Sequence, residues 1–120
     1  ACGDVNGDGY SDLATIAYTY SLSRDYASEF MEIYCGGPQA DTLPDITVNP
    51  PDSMSFLYLR PLGDVNGDGF DDIGFTSKYS RSSNRFYILF GGSFTHKLIR
   101  AMISNYDPFF NGIGDINADG

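Results

Sequence analysis

Asp4-Val5-Asn6-Gly7-Asp8-Gly9-Tyr10-Ser11-Asp12 places a side-chain oxygen at every second residue, then a glycine, then a further carboxylate. The series D-x-N-x-D-G-x-x-D suits a hard divalent cation, since calcium takes roughly six to eight oxygen ligands at about 2.3 to 2.6 Å. Side chains at the first, third and fifth positions, Asp4, Asn6 and Asp8, converge if the backbone curls around a point. Gly9 permits that curl because it has no Cβ to oppose a left-handed conformation. The carbonyl of Tyr10 and the carboxylate of Asp12 complete the expected donor set.

The pattern returns as Asp64-Val65-Asn66-Gly67-Asp68-Gly69-Phe70-Asp71-Asp72, which offers Asp64, Asn66, Asp68, the Phe70 carbonyl and Asp72. It begins again at Asp115-Ile116-Asn117-Ala118-Asp119-Gly120, where Asp115, Asn117 and Asp119 hold the same places in a truncated third copy. Calcium in two complete loops is therefore the expected cofactor. Eight of the 16 acidic residues occupy such ligand positions, so most of the net charge of −9 belongs to small loops that repel themselves unless cations neutralise them. The same charge argues against a nucleic-acid partner held through phosphates.

With 42% hydrophobic and 15% aromatic residues, the 120-residue chain can build a packed core. Nine Tyr, nine Phe and 14 Gly favour an all-β protein with many turns. No apolar run approaches the ~18 residues of a membrane-spanning helix. The start has neither an initiator Met nor a signal-peptide pattern, which reads as a mature product, an excised piece or part of something longer. Sixty residues separate Gly3 from Gly63 and 51 separate Gly63 from Gly114, a period that indicates stacked repeats such as propeller blades. The units run over 3–62, 63–113 and the start of a third at 114–120.

Each unit has strand-like runs in the same order. Leu13 to Tyr18, Phe30 to Cys35, Ile46 to Val48 and Phe56 to Leu59 are matched by Ile73 to Thr76, Phe86 to Phe90, Leu98 to Ile103 and Phe109-Phe110. Four antiparallel strands per blade follow, and runs apolar on both faces suit blades sandwiched between neighbours. Two blades cannot close a ring. Further blades of the same chain, or other copies, are the expected partners.

On these loops and on the strand ends Tyr34-Cys35-Gly36-Gly37 and Leu89-Phe90-Gly91-Gly92, the chain resembles the FG-GAP repeat family of integrin α-chain head domains and bacterial surface proteins. The resemblance implies a seven-bladed propeller, with calcium in the hairpin between the first and second strands of a blade. It also implies an extracellular or cell-surface location and recognition of a protein or glycan through the face opposite the hairpins. The strands after the loops, Ala14-Thr15-Ile16-Ala17-Tyr18 and Gly74-Phe75-Thr76-Ser77, depart from the Phe-Gly and Gly-Ala-Pro signatures of the family. An EF-hand is disfavoured, because its twelfth position, a bidentate Glu, is Thr15 or Phe75 here. Dockerin modules share the loop spelling but set it on helices, whereas these flanks read as strands.

The expectation is a non-catalytic segment acting in adhesion, recognition or surface assembly. Its alternatives are a structural subunit of a polymeric surface assembly and accessory blades of an extracellular hydrolase or lyase. The lone His96 reads as solvent-exposed, and no nucleophile motif is present. Tyr20, Arg24, Tyr26, Lys78, Tyr79, Arg81 and Arg85 sit in polar hairpin tips, which read either as a binding face or as an ordinary solvated surface. Cys2 and Cys35, replaced by Leu62 and Phe90 in the second unit, are either a disulfide or two buried thiols.

Overall fold

The computed structural model describes residues 1–20, 26–50, 55–80, 83–92 and 99–104. The third loop, with Asp115, Asn117 and Asp119, lies outside the described residues, as do Arg24, Arg81 and His96. Every regular element described is a strand: β1 (Leu13–Tyr20), β2 (Tyr26–Tyr34), β3 (Ile46–Val48), β4 (Ser55–Gly63), β5 (Asp72–Ser80), β6 (Ser83–Leu89) and β7 (Ile99–Ser104). Among the described residues no helix is long and apolar enough to cross a membrane.

The strands form two antiparallel sheets, one ordered β1-β2-β3 and the other β4-β5-β6-β7. Pairing is between sequence neighbours throughout, as short connections favour. The sheets are cut at a different place from the sequence repeat. Ser55–Gly63, the last run of the first repeat unit, pairs with β5 and not with β3, from Ser55↔Lys78 to Gly63↔Asp72. The four strands that follow the first loop in sequence therefore do not make one sheet. The reason is local: β4 enters the second loop directly, and that loop turns it back onto β5 as a hairpin. Hydrophobic periodicity is the same whichever sheet a strand joins, so it carries no information on this choice.

Alternation sets the core. In β2, Met31 and Ile33 point inward, and in β3 Ile46 and Val48 flank an exposed Thr47. They meet Phe56, Ile73, Phe75, Tyr87 and Leu89 of the second sheet, with Ala14, Ile16 and Leu59 packed around them. Phe75 is fully buried and holds the centre: its ring lies edge-on to Phe56 at 5.0 Å and stacks on Tyr87 at 5.2 Å. Offset and edge-to-face geometries are those the aromatic quadrupole favours. Across the two sheets, the buried Glu29 carboxylate accepts the Phe56 backbone N–H.

β5 is buried from Asp72 to Ser77 on both faces, although it contains Asp72, Gly74, Thr76 and Ser77. Its central position, between β4 and β6, covers it more completely than its composition suggests. Ser77 Oγ donates to the Ser55 carbonyl at 2.8 Å. Thr76 Oγ1 has no hydrogen-bond partner among the described residues. A buried hydroxyl without a partner costs about 1–3 kcal/mol of desolvation, and a methyl of the same shape does not. Thr76→Val should therefore raise the unfolding free energy by about 1 kcal/mol in urea titration, with an unchanged m-value.

Candidate metal centre

Loop 1 (residues 4–12) and loop 2 (residues 64–72) fold alike because their side chains impose the turn. Asp4 Oδ1 accepts the N–H groups of Gly7 and Asp8 at 2.7 and 3.0 Å, and its Oδ2 accepts that of Gly9 at 2.8 Å. Asn6 Oδ1 accepts the Asp8 N–H and Asp8 Oδ1 accepts the Tyr10 N–H, each at 2.9 Å. Loop 2 repeats the set: Asp64 takes Gly67, Asp68 and Gly69, Asn66 takes Asp68, and Asp68 takes Phe70. Short Asp and Asn side chains make such bonds to the backbone a few residues on, which is what favours them in turns. At the sixth position Gly9 and Gly69 adopt φ of 87° and 89°, a left-handed conformation that a side chain resists.

The ninth position does something different. Asp12 and Asp72 are almost fully buried, at 2% and 0% exposure, although each ends an exposed loop. Asp12 Oδ2 accepts the Val5 N–H at 2.9 Å and its Oδ1 accepts the Gly36 N–H at 2.8 Å. Asp72 likewise takes the N–H groups of Val65 and Gly91, at 2.9 Å each. One carboxylate thus ties the loop entrance to the end of the next strand. The Gly-Gly strand ends are needed here, since a Cβ on Gly36 or Gly91 would lie 2.4 Å from the carbonyl of Ser11 or Asp71. Sequence reasoning assigned Asp12 and Asp72 to the ion alone and read the glycine pairs only as turns. The Gly-Gly pair that recurs at the end of the second strand after each loop was the available signal.

The electrostatics divide the same way. Donation from Gly69, with further N–H groups of the loop, holds the Asp64 carboxyl below the usual carboxylate value. Burial pushes Asp72 up, and the nearby Asp68 and Asp64 charges add to the rise against the donation from Gly91 and Val65. Asp72 therefore feels the other two carboxylates of loop 2, a repulsion that a divalent cation would relieve. Among the described residues no cluster of three or more His, Cys, Asp or Glu side chains is drawn tightly enough to mark a metal centre by geometry alone. The donor set, all hard oxygens on a loop already curled inward, does suit calcium.

Cys2 and Cys35 are both free. Cys2 N–H donates to the Asp12 carbonyl, while Leu13 pairs with Tyr34 on the other side of the same segment. The two cysteines thus lie across two strand spacings, about 9–10 Å, beyond the ~7 Å that a disulfide spans between Cα atoms. The disulfide reading is set aside. Of the hairpin-tip residues, Tyr20 and Lys78 are exposed at the ends of β1 and β5 away from the loops, while Arg85 is half-buried.

Residues 1–29 match the family model described as FG-GAP repeat. Integrin alpha-7 of Rattus norvegicus is 33% identical over 92 residues, which is 75% of this chain and 8% of that protein. Integrin alpha-IIb of Mus musculus is 33% identical over 98 residues, or 72% of this chain and 9% of the relative. Human integrin alpha-7 is 32% identical over 95 residues, or 78% and 8%. The chain spans less than a tenth of the length of each of these relatives.

Two outcomes follow from this geometry. In chelator, Asp12→Ala should cost about 2–4 kcal/mol, because two buried N–H groups lose their acceptor, while Asp8→Ala in the exposed part of the loop should cost under about 1 kcal/mol. Chemical denaturation of both variants checks this. Burial pushes the Cys2 thiol up to about 11, so alkylation at pH 8 should label Cys35 well before Cys2 in the folded protein. Both should react on unfolding without reductant, as intact mass would report.

Proposed function

The chain belongs to the FG-GAP repeat family, and from that premise we propose that it is a calcium-stabilised, non-catalytic β-propeller segment at the cell surface, serving adhesion or recognition. The supporting observation is the pair of loops in which unlike flanking sequences take the same side-chain-to-backbone cage. Asp4, Asn6, Asp8, Asp12 and the Tyr10 carbonyl would hold one ion. Asp64, Asn66, Asp68, Asp72 and the Phe70 carbonyl would hold a second, and Asp115, Asn117 and Asp119 would begin a third site.

When bound, calcium supplies positive charge where several carboxylates crowd a single bend. Everything else falls to the chain. Asp4 and Asp64 gather the loop N–H groups, and Asp12 and Asp72 fasten the loop to the strand end beside it. Their product is a stiff corner at one end of each hairpin, which fixes the register of strands whose far ends carry Tyr20 and Lys78. Those far ends are the proposed contact face for a protein or glycan ligand, supported by their exposure and by the strand length that separates them from the loops. Tyrosine is among the residues enriched at interface anchors.

Extracellular modules bind calcium with Kd of about 10⁻⁴ to 10⁻³ M. At 10 mM calcium, mass action then adds about 1.4 to 2.7 kcal/mol of stability per loop. Thermal unfolding with calcium should therefore occur several degrees above that in chelator, and magnesium at the same concentration should do less. Coincident melting curves in calcium and in chelator would overturn the proposal.

A further inference from the structure

The two loops share a sequence but not a setting. Val5 is 1% exposed and lines one crevice with Ile33, Ile73, Leu89, Phe90 and Gly91, whereas Val65 at the same loop position is 48% exposed. Loop 1 lies against loop 2, and the contact is specific. Asp4 N–H donates to Asp71 Oδ2 at 2.8 Å, Asp71 N–H donates to the Asp4 carbonyl at 2.9 Å, and Gly92 N–H donates to the Val5 carbonyl at 2.8 Å.

The approach is close enough to exclude side chains. A Cβ on Gly3 would fall 2.1 Å from Asp71 Oδ2, and one on Gly7 would fall 2.5 Å from the Phe70 ring. At the matching positions Gly63 and Gly67, a Cβ would meet nothing within 4 Å among the described residues. Asp71 is also a point at which the loops differ, since loop 1 has Ser11 in its place.

Asp4 thus has its side chain committed to its own loop and its backbone committed to the next. Asp71 stands between Phe70 and Asp72, two residues of the loop 2 donor set. We infer that Asp71 is a positioning residue that couples the two loops, so that filling loop 2 raises the cation affinity of loop 1. This rests on the calcium reading of both loops. With loop 2 filled, the backbone from Phe70 to Asp72 is fixed and the Asp71 carboxylate stays aimed at the Asp4 N–H. With loop 2 unfilled, the charges of Asp64, Asp68 and Asp72 repel within it and the clamp has a mobile base. By linkage the effect is reciprocal: filling loop 1 raises the affinity of loop 2 by the same factor.

Loop 1 has a reporter of its own. Tyr10 occupies the seventh loop position, where loop 2 has Phe70, so terbium emission excited through tyrosine and lost on Tyr10→Phe reads loop 1. Terbium titration of the protein gives the loop 1 midpoint, and calorimetric calcium titration gives the total binding. Asp68→Asn, which weakens loop 2 without touching the clamp, should raise the loop 1 midpoint about tenfold, within the usual 5- to 150-fold range of site coupling.

Asp71→Ser, which installs the loop 1 residue, should shift it similarly, and Asp71→Asn should retain most of the affinity because its side-chain oxygen still accepts the Asp4 N–H. Circular dichroism checks folding, and if Asp71→Ser does not fold, Asp68→Asn decides. A loop 1 midpoint unchanged in Asp68→Asn overturns the coupling and leaves the calcium reading standing. An unmutated protein that shows neither sensitised emission nor calcium heat overturns both.

Discussion

A reversed chain must find acceptors for the N–H groups it turns away from the sheet, and here one buried carboxylate per loop answers much of that need. Asp12 and Asp72 each receive one N–H from the loop entrance and one from the end of a strand. A group of this kind is costly to bury, and its two N–H donors offset part of that cost. The loop entrance, the first residue of the following strand and the Gly-Gly end of the next strand are all placed by it.

The division of labour within a loop explains why so many acids are used. Asp4 and Asp64 organise the loop backbone, Asn6 and Asp8 with their counterparts extend the curl, and the last aspartate joins the loop to the sheet. Such bonds satisfy the backbone without cancelling the charge. The residual repulsion within loop 2 is visible in the upward push on Asp72 from Asp64 and Asp68.

Asymmetry arises when identical loops meet different neighbours. Among the described residues, Val5 is enclosed and Val65 is exposed, and Gly3 and Gly7 abut Asp71 and Phe70 while Gly63 and Gly67 abut no neighbour. A stacked array places its units in such unequal settings, since each unit contacts only those beside it.

Much of this was legible in the residues themselves. Alternation and β-branched or aromatic runs marked the strands, with Ile46 to Val48 recovered to the residue, because side-chain direction along a strand is a local property. The loops were legible because Asp, Asn and Gly act on the backbone within a few positions. Membership of Ser55–Gly63 in the second sheet, the two-spacing separation of Cys2 from Cys35 and the burial of β5 through Thr76 and Ser77 were not. Each depends on which segment lies beside another across tens of residues, and no local preference encodes that. Asp71 is the clearest instance: in the sequence it is one more acid in an acidic loop, and only the packed chain brings its carboxylate to the Asp4 amide 67 positions away.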